Sequence, residues 1–332
     1  MLDSRPTRRQ VLGHAAGLAA AAALPVPGHA EDYPSAPIRL VVGFPPGGGA
    51  DVFARMLAPY LSEKLGQPIV IDNRSGANGN LATVYVAKAP PDGYTLLLAT
   101  SSEIVAAPHA TPRMAAHPVR DLTPISMAVE SDFILITNPG LPAKTYQDFA
   151  AYARKSPQPL VHATPGIGSA NHIAGELLSL RTGIKLLTAH YRGSSPLMLD
   201  LLANRVNLTF ASVGLAEPYI KSGRVGALMV MGKQRLPQFP NLPTSFELGL
   251  KDLDRISFWL SLHAPKATPK PIVDKIYEAL QAIYKNADFQ EKLAAGGLQP
   301  VGSSPQASAE RIAADLNLYG DIFKTAGIKL DQ

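Results

Sequence analysis

The stretch IRLVVGFPPGGGAD, Ile38 to Asp51, decides how the chain is read. Ile38–Val42 is a short apolar run of the kind found in buried strands. Pro45-Pro46-Gly47-Gly48-Gly49 can neither continue a strand nor sit inside a helix. Asp51 then opens an amphipathic helix, with Val52, Phe53, Met56, Leu57, Tyr60 and Leu61 on one side and Asp51 as its expected cap. Strand, glycine loop and helix start together make a place for an anion. Glycine lets a ligand approach the backbone closely, and the first N–H groups of a helix lack internal partners and carry partial positive charge. The pattern does not name the anion, and a triple glycine also serves as a plain flexible turn.

Outward from this stretch, apolar runs alternate with helical patterns. Gly66 is placed to stop the first helix, Pro68–Ile71 reads as a strand, Leu81–Ala89 as a helix and Tyr94–Ala99 as a strand ending in the hydroxyls of Thr100-Ser101-Ser102. Pro59 is expected to kink the first helix. A second series starts at Phe133–Thr137. Thr145 and Asp148 form a capping box before a helix over Tyr146–Lys155. Strands follow at Leu160–Ala163, Leu186–His190 and Val206–Phe210. Helices follow at His172–Arg181, closed by Gly183, and at Leu197–Ala203, with Pro196 as first helical residue. The apolar run Ser257–Leu262 is placed to return to the first series, and the tail from Pro271 reads as helical. In parallel α/β sheets the strand-to-helix handovers gather at one edge, where ligands bind. Two such series predict two lobes with facing loop edges.

At 332 residues, with 46% hydrophobic and 17% charged content, the chain accommodates two packed domains. Thr7-Arg8-Arg9-Gln10-Val11-Leu12 resembles a twin-arginine export signal. The apolar stretch to Leu24 and the small residues Gly28-His29-Ala30 predict cleavage after Ala30 and a periplasmic mature protein; the alternative is an uncleaved anchor. The absence of cysteine excludes disulfides, thiolate metal sites and Cys nucleophiles. Net charge is +5, of which the signal carries two. The basic residues are scattered, with no stripe and no interleaved aromatics, so no nucleic-acid partner is expected. A mildly positive field favours small anions.

YPSAPIRLVVGFPPGGGADVFARMLAPYLSEKLGQPIVIDNRSGANGN, then VAKAPPDGYTLLLAT, HATPGIGSANHIAGELL, HYRGSSPLMLDLLANRVNLTF and the final AGIK stand in one order from Tyr33 to Lys329. In this set and spacing the chain resembles the extracytoplasmic solute receptors of tripartite tricarboxylate transporters, the Bug family. The resemblance implies an α/β, two-lobed periplasmic binding protein of the Venus-flytrap kind (type II), each lobe a β-sheet flanked by helices, with two chain crossings. On this reading 31–132 and 256–332 form the first lobe and 133–255 the second. It further implies capture of a small organic carboxylate for membrane permease subunits of the transporter. First-lobe contacts are then expected from Phe44, Pro46, Gly47, Gly48 and Asp51, with Ser101 and Ser102 across the cleft. Second-lobe contacts are expected from Thr164, Gly168, Ser169, Asn171 and His172, then Tyr191, Arg192, Gly193 and Ser194, with Ser212 nearby. The chain departs from the family in having Ala211-Ser212 where an acidic residue is frequent, His162 where tyrosine is common and Arg192 where lysine is common. These positions bear on ligand choice.

The other readings of the same residues are weaker. The three-residue spacing of Ser169 and His172 at a helix start does not by itself provide a base in reach of the hydroxyl and a third orienting group, and no GxSxG elbow is present, so no catalytic residue is assigned. No HExxH or related spacing predicts a metal. Gly166-Ile167-Gly168 lacks the third glycine and acidic partner of a dinucleotide site, so no cofactor is expected. Arg192 reads either as a carboxylate fork or as an outward rim residue. An exported hydrolase or isomerase using His172 and Asp51, and a ligand sensor for a signalling partner, are the competing functions. A monomer is the default state.

Overall fold

In the computed structural model of the protein, residues 33–110, 114–250 and 252–325 are described. The expected export segment and the Ala326–Lys329 end of the resemblance lie outside them. The chain runs β1 (Ile38–Val42), α1 (Gly49–Leu65), β2 (Ile69–Asn73), α2 (Asn80–Ala87), β3 (Thr95–Thr100), a π-helical turn (Ser102–Ala106), α3 (Ala107–Ala110), α4 (Pro118–Asp121) and β4 (Leu122–Ser131). Past Asp132 come β5 (Phe133–Thr137), α5 (Tyr146–Lys155), β6 (Leu160–Thr164), α6 (Ala170–Thr182), β7 (Leu186–His190), α7 (Ser194–Leu202), β8 (Leu208–Ser212), α8 (Val213–Lys221) and β9 (Gly226–Met231). The chain then returns through β10 (Phe258–Pro265), α9 (Lys270–Tyr284), α10 (Ala287–Ala295), β11 (Gln299–Pro300) and α11 (Pro305–Thr325).

Two sheets result, ordered β11-β4-β10-β3-β1-β2 and β7-β6-β8-β5-β9. Each is flanked by helices, which is the two-lobed α/β architecture. The sheets are mixed rather than parallel throughout. β1 lies parallel to β2 and β3, and β6 to β7 and β8, whereas β10 runs antiparallel to β3 and β4, and β5 antiparallel to β8 and β9. The reversed strands β5 and β10 are the ones that arrive from the other sheet. A strand entering this way needs no crossover helix and is free to pair antiparallel.

β5 shows how the second sheet is buried on both sides. Phe133 and Leu135 join the apolar cluster shared with the first sheet, while Ile134 and Ile136 join the cluster of Leu197, Met198 and Leu201 on the opposite face. In α1 the buried face is Ala50, Phe53, Ala54, Leu57, Ala58, Leu61 and Leu65. Val52, expected on that face, is 52% exposed because it falls outside this 3.6-residue stripe. Pro59 lies inside α1 without ending it, and Gly66 and Gly183 close α1 and α6 in the left-handed conformation. The Thr145–Asp148 capping box is formed in full. Pro196 is the third residue of α7, not the first, because Ser194 and Ser195 are already helical.

Behind α6, His162 is wholly buried, and both ring nitrogens lack a partner among the described residues. Burial, with the nearby His172 and His190, pushes its pKa down to about 3, so the ring stays uncharged. A Cβ on Gly175 would stand 2.2 Å from this ring. Gly175→Ala is therefore expected to cost about 1–3 kcal/mol in urea unfolding. Adding His162→Ala is expected to give a double variant more stable than the sum of the two single losses allows.

Candidate functional site

The glycine loop after β1 is held from below. Gly48 is the N-cap of α1 and makes no side-chain cap, so Asp51 is not the cap. Asp51 lies in the first turn, buried, and accepts hydrogen bonds from the Gly47 amide, Arg55 Nε and Asn73 Nδ2, each at 2.9 Å. Burial opposes its charge, but these three donors outweigh burial and lower its pKa. Asn73 also donates to the Phe44 carbonyl at 3.0 Å. Pro46 and Gly47 are exposed at the tip, Gly48 and Phe44 half-buried.

The second loop of the first sheet comes forward through Gly76, Ala77, Asn78 and Gly79, four consecutive residues at positive φ. Ala77 and Asn78, at φ 47° and 51°, occupy a region that non-glycine residues rarely visit. After β3, Ser101 and Ser102 are buried. Glu103 follows them, with no exposed surface, and closes a box with Thr100. Its Oε2 accepts from the Thr100 amide at 2.7 Å and hydroxyl at 3.1 Å, and its own amide donates to Thr100 Oγ1 at 3.4 Å. Burial pushes its pKa up to about 8, against the Thr100 hydrogen bonds.

Three loops of the second sheet are knitted to one another. Tyr191 N–H donates to the Thr164 carbonyl at 2.9 Å and Gly193 N–H to Pro165 at 3.0 Å, while Asn171 Nδ2 donates to the Phe210 carbonyl. Thr164 Oγ1 lies 2.8 Å from His190 Nδ1. Ser169 caps α6 by accepting the His172 amide at 3.2 Å. The Gly168 amide donates to His172 Nδ1 at 3.0 Å, so that nitrogen carries the lone pair, and Nε2 stands 3.5 Å from Glu176. The Ser169 hydroxyl and the His172 ring are thus each bonded elsewhere. The Tyr191 hydroxyl turns to Asp200 at 2.7 Å. Arg192 is exposed, with no side-chain partner among the described residues, and Ser194 and Ser212 are half-buried at the starts of α7 and α8, neither of which has a side-chain cap.

The two edges meet. Ser102 Oγ accepts the Ala170 amide at 3.3 Å, and Asn78 Nδ2 donates to the Ile167 carbonyl at 3.3 Å. At the start of α8 the approach is closer still, and a Cβ on Gly214 would stand 2.0 Å from the Gly296 carbonyl oxygen. Asn78, Asn73 and Glu103 were absent from the expected contacts. The signals for Asn78 and Glu103 were an Asn-Gly-Asn inside the second glycine loop and one acidic residue in the apolar run after Thr100, spaced as a Thr-x-x-Glu box; Asn73 had none. Among the described residues no group of acidic or histidine side chains is placed to hold a metal.

Glu103 gives this region a pH signature. Its folded pKa, about 8, exceeds the ordinary 4.5, so folding takes up a proton between these values. Its contribution to stability is full below about 4.5, falls as pH rises to about 8 and is level beyond. Glu103→Gln cannot ionise, so its melting temperature relative to wild type is expected to rise across that window and then stop rising.

Residues 53–328 match the profile of TctC, the tripartite tricarboxylate transporter family receptor. Protein BugT of Bordetella pertussis is 34% identical over 312 residues, which cover 94% of this chain and 95% of BugT. The structure of the periplasmic binding protein BugD is 34% identical and superposes with a TM-score of 0.82 over 90% of this chain and 99% of BugD. An R. palustris protein solved with adipate is also 34% identical, with a TM-score of 0.84 over 90% of this chain and 99% of its own. With the expected motifs now standing on facing loop edges, the chain belongs to the tripartite tricarboxylate transporter receptor family, the Bug group of solute-binding proteins.

Proposed function

We propose that this protein is a periplasmic receptor that captures a small organic carboxylate and presents it to the membrane subunits of a tripartite tricarboxylate transporter. The observation that carries the reading is the pair of hydrogen bonds, Ser102 to Ala170 and Asn78 to Ile167, that bring the loop edges of the two sheets together. The adipate held by a relative of the same fold agrees with it. The lobes divide as 31–132 with 256–332, and 133–255. The contacts come from Phe44, Pro46, Gly47, Gly48, Asp51, Ser101 and Ser102 on one side and from the loops at Thr164–His172, Tyr191–Ser194 and Ser212 on the other. The chain is exported by a twin-arginine signal cleaved near Ala30 and works as a monomer.

Magnitudes favour many neutral donors over one cation. Micromolar affinity corresponds to about −8 kcal/mol. One helix terminus supplies at most about 2 kcal/mol, so several starts and hydroxyls must converge on the guest. Ligand that touches both edges favours the closed arrangement by its differential affinity. The protein is a binder rather than a catalyst. Ser169 has its hydroxyl and His172 its Nδ1 engaged by backbone amides, and Ser261 is bonded to the wholly buried His263 inside β10.

The test is a panel of adipate, malate and citrate, read by melting temperature and by ligand mass after incubation. Stoichiometric stabilisation with unchanged ligand is expected; turnover would overturn the reading. Gly48 has extended φ and ψ of −77° and 164°, and an added Cβ would meet only the Pro45 carbonyl at 3.5 Å. Gly48→Val is therefore expected to fold and to lose at least about tenfold in affinity, about 1.4 kcal/mol. Wild-type affinity in that variant would remove the glycine loop from the site.

A further inference from the structure

We propose that Glu103 is a positioning residue of the anion site: its buried carboxyl spaces the two glycine loops of the first sheet, and a charge placed on it expels the anion. The proposal rests on the carboxylate reading above. Glu103 Oε2 is occupied by two donors, the amide and the hydroxyl of Thr100. Oε1 is buried and has no partner among the described residues. It stands 2.1 Å from where a Cβ of Gly43 would be and 2.4 Å from that of Gly79, and the Glu103 Cγ is 2.1 Å from the latter. Gly43 begins the loop that carries Phe44 to Gly49, and Gly79 ends the loop that carries Asn78 to the second sheet. The carboxyl is therefore wedged between the backbones of both loops, and both positions have to be glycine to admit it.

A box of this kind at an exposed helix start holds a charged carboxylate. Here the carboxyl is sealed from solvent and its pKa is raised by burial, so it keeps its proton at neutral pH. Because Oε2 accepts two hydrogen bonds, the proton belongs on Oε1, the atom facing the glycines. Among the described residues no charged side chain shifts it. β3 and the Ala77–Gly79 turn bring no ionisable group. On α11, which packs on the same turn, Asp315 is paired with Arg311, and the Tyr319 hydroxyl faces Ser101. On α4, Arg120 is paired with Asp121, and on α3 the His109 Nε2 faces the Leu316 carbonyl. Glu103 lies in a π-helical turn whose five residues are all buried, a form that is rare overall and frequent at functional sites. Ionisation would put an unscreened negative charge directly beneath the loops that a carboxylate has to approach.

Adipate, malate and citrate are titrated calorimetrically into wild type, Glu103→Gln and Glu103→Ala between pH 6.5 and 9.5. Expected is a wild-type affinity that holds up to about pH 8 and then falls, approaching about tenfold per pH unit for whichever probe binds. Glu103→Gln, which keeps the shape and cannot ionise, is expected to bind equally at pH 7 and 9.5. Glu103→Ala, which removes the spacer, is expected to lose at least about tenfold at pH 7. Asp132, beside the chain crossing, has a pKa near 6 and is already charged over most of this range. Wild-type affinity level to pH 9.5, or the same fall in Glu103→Gln, would overturn the assignment while leaving the receptor reading intact. If none of the three acids binds wild type at pH 7, the carboxylate reading fails and the assignment falls with it. A level wild-type profile overturns the assignment even if neither variant folds.

Discussion

A helix that follows a strand begins with N–H groups its own backbone cannot pair, and the cleft is built from where those beginnings are collected. α1 starts at Gly49, α6 at Ala170, α7 at Ser194 and α8 at Val213, each just beyond the carboxyl end of a strand. Only α6 has a side-chain cap among these four. Two sheets that present such edges to one another collect partial positive charge there from backbone groups alone. The bridging bonds at Ser102 and Asn78 hold the edges at that distance.

The charges around the cleft are arranged to stay out of the way. Asp51, directly under the glycine tip, has its negative charge engaged by Arg55, Asn73 and the Gly47 amide. It therefore stiffens the loop that a guest anion meets, instead of repelling the guest. His162 is kept neutral by burial, and His172 offers its Nδ1 lone pair to a backbone amide. Around these engaged groups the loop edges present backbone amides and hydroxyls, with the exposed Arg192 at the rim.

Much of the architecture was legible because hydrophobic periodicity and turn chemistry agreed. Phe133–Thr137, the Thr145 box with its helix and Leu186–His190 lie where they were read. The ten-residue β4 was not seen. It contains Pro124 and the polar Thr123, Ser126 and Glu130, which interrupt a strand pattern that only tertiary pairing with β10 restores. The loops of the site were legible as glycine and serine clusters, but their supports were not. Asn73 lies 29 residues from the Phe44 carbonyl it fixes, and no local pattern announces that distance. Glu103 followed a recognisable Thr-x-x-Glu spacing, yet its burial depends on Gly43 and Gly79, which come from two other loops.

The glycines themselves answer two physical needs that look alike as letters, and Gly79 answers both. Gly66 and Gly183 are glycine for their dihedral angles, and an added Cβ there would meet nothing within 4 Å. Gly43, Gly175 and Gly214 are glycine for space, because a neighbour stands where the Cβ would be. For Gly175 that neighbour is the His162 side chain alone, and for Gly43 it is the Glu103 side chain with the Gly79 backbone behind it, so glycine and side chain constrain each other. For Gly214 it is a backbone carbonyl, that of Gly296, which cannot turn aside as a side chain can. Gly214 starts α8 on the second sheet, and Gly296 precedes β11 on the first. The Val213 amide beside it lies 3.4 Å from Ser131 Oγ at the end of β4. The placement of one sheet against the other at this point is therefore set by main chain meeting main chain. The side-chain bonds of Ser102 and Asn78 add to this main-chain contact, so the two halves meet through both kinds of group, and only the main-chain contact is indifferent to substitution at those two positions.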